Sequence, residues 1–334
     1  MADDSDMKLL VKAVTHEADG VVSITLTDPE GKSVPEWKPG AHLEIVLPSG
    51  LIRQYSLCGD PTNTAEYRVA VLREPHGWGG SREIHDNGLV GKVLQVQGPR
   101  NRFALVDSPS YLFIAGGIGI TPLLPMIRAV AGGGVSPGAT WSLSYGGRSG
   151  KSMAFVDQLT DIATSYGDAS SVRLLPEDET GILDLDAILA GATDDTVIYC
   201  CGPGGLITAV EDKCSALDLR DRLHIERFGA APPTRAEGAG PVVDEGPAFE
   251  VELRRSGLTV AVKPSESILA CVRRAIPDVP ASCEEGYCAT CEVKVLSGTP
   301  DHRDTILTDA ERETSQTMFI CVSRSKSPQL VIDL

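Results

Sequence analysis

The 334-residue chain lacks any run approaching the ~20 apolar residues of a membrane-spanning helix. It also lacks the basic start and apolar core of a secretory leader, opening instead with the acidic MADDSDMKLLV. Both absences point to a cytoplasmic protein without a membrane partner. Positive charge is scarce: 30 Lys and Arg stand against 46 Asp and Glu, a net charge of −16. A surface of that sign repels a polyphosphate, which excludes nucleic acid as a partner. Internal repeats are absent. The only biased tract is GAAPPTRAEGAGPVVDEGP, from Gly229 to Pro247, where apolar periodicity vanishes as in a linker. The length allows two or three domains around it.

Cysteine is plentiful, with nine residues in a setting that disfavours disulfides. Four form a pattern. Cys283, Cys288 and Cys291 read C-x4-C-x2-C within SCEEGYCATCEV, and Cys321 follows after 29 intervening residues. Plant-type [2Fe–2S] clusters take their thiolates at this spacing, a short loop supplying three and a distant segment the fourth. Structural zinc sites usually draw ligands as two short pairs, whereas only one short pair is present here. Cys58, Cys200, Cys214 and Cys271 read as packing residues. Iron held this way carries single electrons, so the chain is expected to move electrons one at a time.

Residues 7 to about 107 alternate short β-rich runs (VVSITLTD, HLEIVLP, IRQYSLC, YRVAVLRE, KVLQVQG) with turn residues, which predicts a closed antiparallel barrel. The pattern then changes. YLFIAGG, WSLSYGG, SVRLLP and TVIYCCG read as buried strands alternating with helices near TPLLPMIRAVA, FVDQLTDIA and GLITAVEDKCSAL. That alternation predicts a parallel sheet covered on both faces. Beyond the linker, FEVELRRSGLTVAV predicts a hairpin turning near Ser256 and Gly257, followed by a helix around SILACVRRA and the cysteine loop.

Two glycine turns follow buried strands. AGGIGITP, residues 115–122, contains Gly116, Gly117 and Thr121; CGPGG, residues 201–205, contains Cys201, Gly202 and Pro203. Glycines between strand and helix let backbone N–H groups approach a phosphate, and ligands in open parallel sheets bind at the carboxyl ends of the strands. Pro122 suits a first helical turn, and the Thr121 hydroxyl is expected to face a ligand. Cys201 stands at its turn, where a small polarisable side chain can touch a nicotinamide ring. In the first domain, Arg53 of RQYSL is a candidate phosphate ligand and Tyr55 a ring to pack on a flat cofactor. Gly79, Gly80 and Ser81 form a small-residue turn suited to a second phosphate site.

Together these motifs resemble the phthalate dioxygenase reductase family, which includes vanillate demethylase reductases. RQYSL resembles its flavin motif, WGGS its flavin-phosphate turn, GGIGITP and YCCGP its nicotinamide turns, and HIERFG the end of its nicotinamide domain. SCEEGYCATC, DHRDTILTDAE and CVSRSKSPQLVIDL resemble its ferredoxin end. The resemblance covers residues 7–334. It implies an FMN-binding β-barrel (1–107), an α/β NAD-binding domain (108–229), a linker (230–246) and an α+β, β-grasp ferredoxin domain (247–334). It further implies that Arg53, Tyr55 and Ser56 contact FMN, with Val71, Leu72 and Arg73 lining it and Gly79, Gly80 and Ser81 at its phosphate. By the same resemblance Thr121 lies near flavin and nicotinamide, Arg148 contacts the dinucleotide, and Phe228 covers the flavin ring. Ala289 departs from the glycine that relatives usually carry after the second cysteine.

A nicotinamide gives up two electrons at once and a [2Fe–2S] cluster accepts one, so a flavin must mediate between them. The expected route runs from NADH to FMN to the cluster and on to a terminal oxygenase, a Rieske-type enzyme being favoured over a cytochrome P450. Positioning carries the catalysis, with Thr121 and Cys201 beside the reacting rings. Glu177, Asp178 and Glu179 after SVRLLP favour NADH, because carboxylates suit a ribose diol and repel a 2′-phosphate. A monomer is expected. An FAD-containing reductase and a zinc-stabilised binding module are the remaining alternatives.

Overall fold

The computed structural model describes residues 6–75, 79–228, 247–277, 279–281, 286, 290–304, 307 and 309–334. Its packing separates two compact units, Met1–Phe228 and Gly229–Leu334. The tract read as a linker lies outside the described residues.

The first unit opens with an antiparallel sheet of β1 (Asp6–Ala18), β2 (Val21–Thr27), β3 (Ala41–Val46), β4 (Ile52–Ser56), β5 (Tyr67–Leu72) and β6 (Val93–Asn101). Its order is β4-β3-β6-β1-β2-β5. Alternate residues, among them Ile24, Leu26, Leu43, Ile45, Val69, Val71, Leu94 and Val96, point inward to one core. The edge strands meet through the Leu57↔Val69 bridge and the Cys58 N–H donated to the Arg68 carbonyl at 2.8 Å, which curls the sheet into a barrel. The Gly79–Ser81 turn leads directly into a helix, α1 (Gly80–Asp86).

A parallel sheet follows in the order β11-β10-β7-β8-β9, from β7 (Ser110–Gly116), β8 (Thr140–Gly147), β9 (Ser170–Pro176), β10 (Thr196–Gly202) and β11 (Leu223–Arg227). Period-two alternation sorts its side chains between two cores. Phe113, Ala115, Tyr199 and Cys201 face α2 (Ile120–Ala131) and α3 (Val156–Tyr166). Leu112, Ile114, Ile198 and Cys200 face α5 (Leu185–Leu189) and α6 (Gly204–Ala216), while the short α4 (Glu177–Thr180) caps β9. Burial on both faces explains why these strands read as continuous apolar runs. Barrel residues Ala18, Val21, Cys58, Ala70 and Phe103 share the first of those cores, which welds barrel and sheet together.

The second unit is a mixed sheet, β13-β12-β18-β14-β16, with β12 (Phe249–Leu253), β13 (Leu258–Val262), β14 (Glu292–Ser297), β16 (Thr317–Phe319) and β18 (Gln329–Ile332). The first and last strands pair in parallel, Val251 beside Leu330, as in a β-grasp. Helix α7 (Ile268–Ala275) starts where the Ser267 side chain accepts the Ala270 N–H at 3.1 Å. It buries Ile268, Leu269, Cys271 and Val272 against the sheet and leaves Arg273 and Arg274 outside. Two short strands, β15 (Pro300–Asp301) and β17 (Arg324–Ser325), pair on their own, and α8 (Asp309–Thr314) lies between β15 and β16. Among the described residues no helix is long and apolar enough to cross a membrane.

Candidate redox centre

The two glycine turns meet at the carboxyl edge of the parallel sheet. A Cβ on Gly119 would overlap the Cys201 carbonyl, and one on Gly116 would lie 2.7 Å from both Pro203 Cδ and Leu206 Cδ2. Gly202 in turn approaches the Gly116 backbone, a Cβ there reaching Cα at 3.0 Å. The turn after β7 and the turn after β10 are therefore packed backbone to backbone, which only glycine permits. Gly117, at φ 53°, has open space around its Cα, as a phosphate cradle requires. Thr121 differs from expectation. It is buried, and its hydroxyl donates to the Ile118 carbonyl at 3.0 Å instead of standing unengaged toward a ligand. Such a bond is the usual local satisfaction of a Thr in a first helical turn, and it leaves the oxygen able to accept.

Cys200 and Cys201 are both fully buried, on opposite faces of β10. Burial pushes the Cys201 thiol well above its ordinary pKa, so it is a neutral, compact side chain and not a thiolate. Arg148, exposed just beyond β8, accepts the Asp178 N–H on its carbonyl at 3.3 Å, which sets the acidic α4 beside it.

In the barrel, Arg53 on β4 lies across Gly80: a Cβ there would meet Arg53 Cγ at 2.7 Å and Nε at 2.8 Å. The cation is thus brought to the start of α1, where Gly79 turns with φ 91°. The Ser49 N–H and hydroxyl both donate to the Glu83 carboxylate, tying α1 to the β3–β4 hairpin. Ser81 Oγ accepts the Glu74 N–H at 3.0 Å. Val71 is buried in the barrel core, Leu72 packs at the junction with the parallel sheet, and Arg73 is paired with Asp86 at 3.0 Å. Trp78 lies outside the described residues.

Tyr55 is half-buried and burial raises its phenol. Ser56 donates its hydroxyl to Glu226 Oε2 at 3.1 Å across 170 residues of chain. Glu226 sits on β11 in register with Cys201 on β10. Burial pushes its carboxyl up to about 8, opposed by the Ser56 hydrogen bond. A continuous line of contacts thus runs from Ser56 through Glu226 and Cys201 to Gly119, joining the barrel motif to both glycine turns. Phe228, half-buried at the end of β11, packs on the same core.

Of the four patterned cysteines, Cys291 and Cys321 are described and both are buried. Antiparallel pairing of Glu292 with Phe319 draws them to the same end of the ladder, and the Ile320 N–H donates to the Cys291 carbonyl at 3.3 Å. Cys283, Cys288 and Ala289 lie outside the described residues. Two buried cysteines, each in a turn at the same end of one ladder, fit the donor set of an iron–sulfur cluster.

A family model described as a 2Fe-2S iron-sulfur cluster binding domain matches residues 251–326, and one described as an oxidoreductase NAD-binding domain matches residues 113–212. The phenoxybenzoate dioxygenase subunit beta of Ectopseudomonas oleovorans is 39% identical, over 98% of this chain and 97% of its own. The solved structure of phthalate dioxygenase reductase, described as a modular structure for electron transfer from pyridine nucleotides to [2Fe-2S], is similar with a TM-score of 0.71. It is 34% identical and is covered over 98% of its length by 99% of this chain. The chain belongs to the phthalate dioxygenase reductase family. An intact type IV self-sufficient cytochrome P450 monooxygenase is also similar over 98% of this chain, with TM-score 0.80 and 38% identity; the chain spans 41% of that longer protein.

This reductase is an NADH-dependent iron–sulfur oxidoreductase. Two of its site features escaped the sequence reading. Glu226 stands in HIERFG with no local mark of burial. Gly119 looked like one more turn glycine, although it is the one pressed on the Cys201 backbone.

Proposed function

We propose that the chain takes electron pairs from NADH at the edge of the parallel sheet and passes them by way of an FMN in the barrel. From there single electrons go to a [2Fe–2S] cluster and then to a Rieske-type oxygenase. The observation that carries this reading is the line of contacts Ser56–Glu226–Cys201–Gly119, which supports a flavin face and a nicotinamide face meeting at one point. When bound, FMN accepts two electrons together and releases them singly, matching a two-electron donor to a one-electron acceptor.

The chain's own residues hold and exclude. Arg53 with Gly79, Gly80 and Ser81 would grip the flavin phosphate, while Tyr55 and Phe228 pack on its ring and Val71, Leu72 and Arg73 border it. Gly116, Gly117, Gly202, Pro203 and Arg148 would take the dinucleotide phosphates. Thr121 and neutral Cys201 keep water from the reacting face without adding charge. Glu226, with its raised pKa, holds a proton at neutral pH beside Ser56. The exposed acids of α4 would repel a 2′-phosphate. Cys283, Cys288, Cys291 and Cys321 would ligate the irons. The reading also places a monomer in the cytoplasm, where reduced nicotinamide and reduced thiols coexist.

The test is NADH oxidation by the purified protein with a Rieske oxygenase or a cytochrome P450 added, alongside identification of the flavin released by acid. Stimulation by the Rieske protein, with FMN released, supports the reading. A second reading, delivery to a P450, is favoured by the likeness to the self-sufficient monooxygenase, and stimulation by the P450 alone would decide for it.

A further inference from the structure

Residues 148–155 carry the chain from the end of β8 to the start of α3, with Arg148 exposed at the near end. The far end is strained. Phe155, which caps α3, stands at φ 63° and ψ 18°, in the left-handed region. A bulky side chain is disfavoured there and persists only where its surroundings hold it; such outliers gather at ligand sites. Phe155 is buried in the core that barrel and parallel sheet share. Gly147 lets the loop fold back toward that core, since a Cβ there would lie 2.5 Å from Met153 Cγ. Inside the loop, Ser152 Oγ accepts the Ser149 N–H at 3.2 Å and donates to the Ser149 carbonyl at 2.8 Å.

The hold on this loop comes from the barrel. Arg68 on β5 places its guanidinium over the Phe155 ring, 5.1 Å from the centroid. Two neighbouring strands aim it: Arg68 Nε donates to Ser23 Oγ on β2 at 3.2 Å, and its guanidinium is paired with Glu17 on β1. The Glu17 side chain is only 8% exposed, so the pair is largely shielded from water, where a cation–π contact gains strength. A second tie lies in the β1–β2 turn. There the Asp19 N–H donates to the Lys151 carbonyl at 2.9 Å, and the Gly20 carbonyl accepts the Arg73 N–H at 2.8 Å. The turn is thus fixed to the end of β5 on one side and to the loop on the other.

We propose that Arg68 is a positioning residue for dinucleotide binding: through Phe155 the barrel sets the loop that presents Arg148, so the strand bordering the flavin also governs affinity for NADH. The proposal rests on the reading of Arg148 as a dinucleotide contact. A loop already held in its binding conformation spares the ligand the entropy of ordering it, and such preorganisation appears as affinity. The reacting rings are placed by the glycine turns, so loss of the clamp falls on binding and not on the reaction of the bound complex.

The test is isothermal titration calorimetry of the full-length oxidised holoenzyme with ADP-ribose, which carries the dinucleotide phosphates but no nicotinamide to react. It compares the wild type with Arg68→Met, Phe155→Leu, Arg148→Ala and the double variant Arg68→Met/Arg148→Ala. Met keeps the stem without the charge, and Leu keeps an apolar filler without the ring. Arg68→Met and Phe155→Leu are each expected to weaken ADP-ribose roughly 3- to 30-fold. In the Arg148→Ala background the Arg68→Met loss should largely disappear, because two residues acting through one contact are not additive. Flavin bleaching by NADH should then need a higher half-saturating concentration yet reach the wild-type rate at saturation. Unchanged affinity in Arg68→Met, with Arg148→Ala weakened, overturns the proposal and leaves the Arg148 reading standing. A loss that persists in full beside Arg148→Ala also overturns it, since that marks a general loosening of the fold. Wild-type affinity in Arg148→Ala removes the Arg148 reading and the proposal with it. Should Arg68→Met fail to fold, Phe155→Leu decides in the same two backgrounds. A loss only where Arg148 is present supports the proposal, and no loss, or an equal loss in both, overturns it.

Discussion

The two units build their sites in opposite ways. In the ferredoxin unit three of four thiols crowd into nine residues, and one strand pairing brings up the fourth. In Met1–Phe228 the site is assembled from β4, β7, β10 and β11, whose contributions are backbone contacts and a single hydrogen bond spanning 170 residues. Iron demands specific side-chain donors, so its site is written in residue identity. A dinucleotide and a flavin need shape and oriented N–H groups, so their site is written in how closely backbones approach.

Cysteine replacement gives the largest effect and separates the units most sharply. Cys288→Ser is expected to abolish NADH-driven reduction of cytochrome c, while NADH still bleaches the flavin in stopped-flow absorbance. If flavin bleaching also disappeared in a folded variant, the two units would not be acting in sequence. Gly119→Ala is the mirror experiment. A methyl forced onto the Cys201 carbonyl must push the two turns apart, and misplacement near 1 Å costs about 10²-fold in rate. Flavin reduction by NADH should slow by that order while iron–sulfur absorbance is unchanged. An unaffected rate would mean that the packed turns are not the nicotinamide site.

Arg53→Ala should have a smaller effect. A charge-assisted hydrogen bond contributes about 1.5–3 kcal/mol, so flavin retention through gel filtration should weaken by roughly 10- to 100-fold in affinity. Full occupancy would remove Arg53 from the phosphate site. Glu226→Gln should have the smallest effect on electron transfer, its consequence falling on the pH dependence of stability. The folded carboxyl titrates near 8 against an unfolded value of roughly 4.3, so the native state binds the extra proton. Its stabilising contribution is complete below the unfolded value and is lost as pH rises through about 8. The variant should therefore gain steadily on the wild type in thermal unfolding between pH 5 and pH 8. A constant difference across that range would contradict the raised pKa.

How much of this was legible in the sequence follows the same division. The cysteine spacing, the glycine turns and most strands could be read locally, because ligand identity, turn chemistry and period-two alternation are local properties. Strand β1 was not delimited: register shifts between Val11 and Ala13 and between His16 and Ala18 break its alternation. The strand character of LHIER, half-buried throughout, gave no apolar run. Glu226 was invisible because its burial and its partner depend on Ser56, far away in sequence. The Thr121 hydroxyl was misread for a smaller reason, since its bond to Ile118 forms only once the helical turn exists.

An anaerobic titration of the purified protein with NADH, followed by visible absorbance, tests the central claim most directly. The account predicts overlaid flavin and iron–sulfur bands that bleach together and saturate near about three electrons per chain, two for the flavin and one for the cluster. Saturation near two electrons, with no iron–sulfur band to bleach, would contradict it.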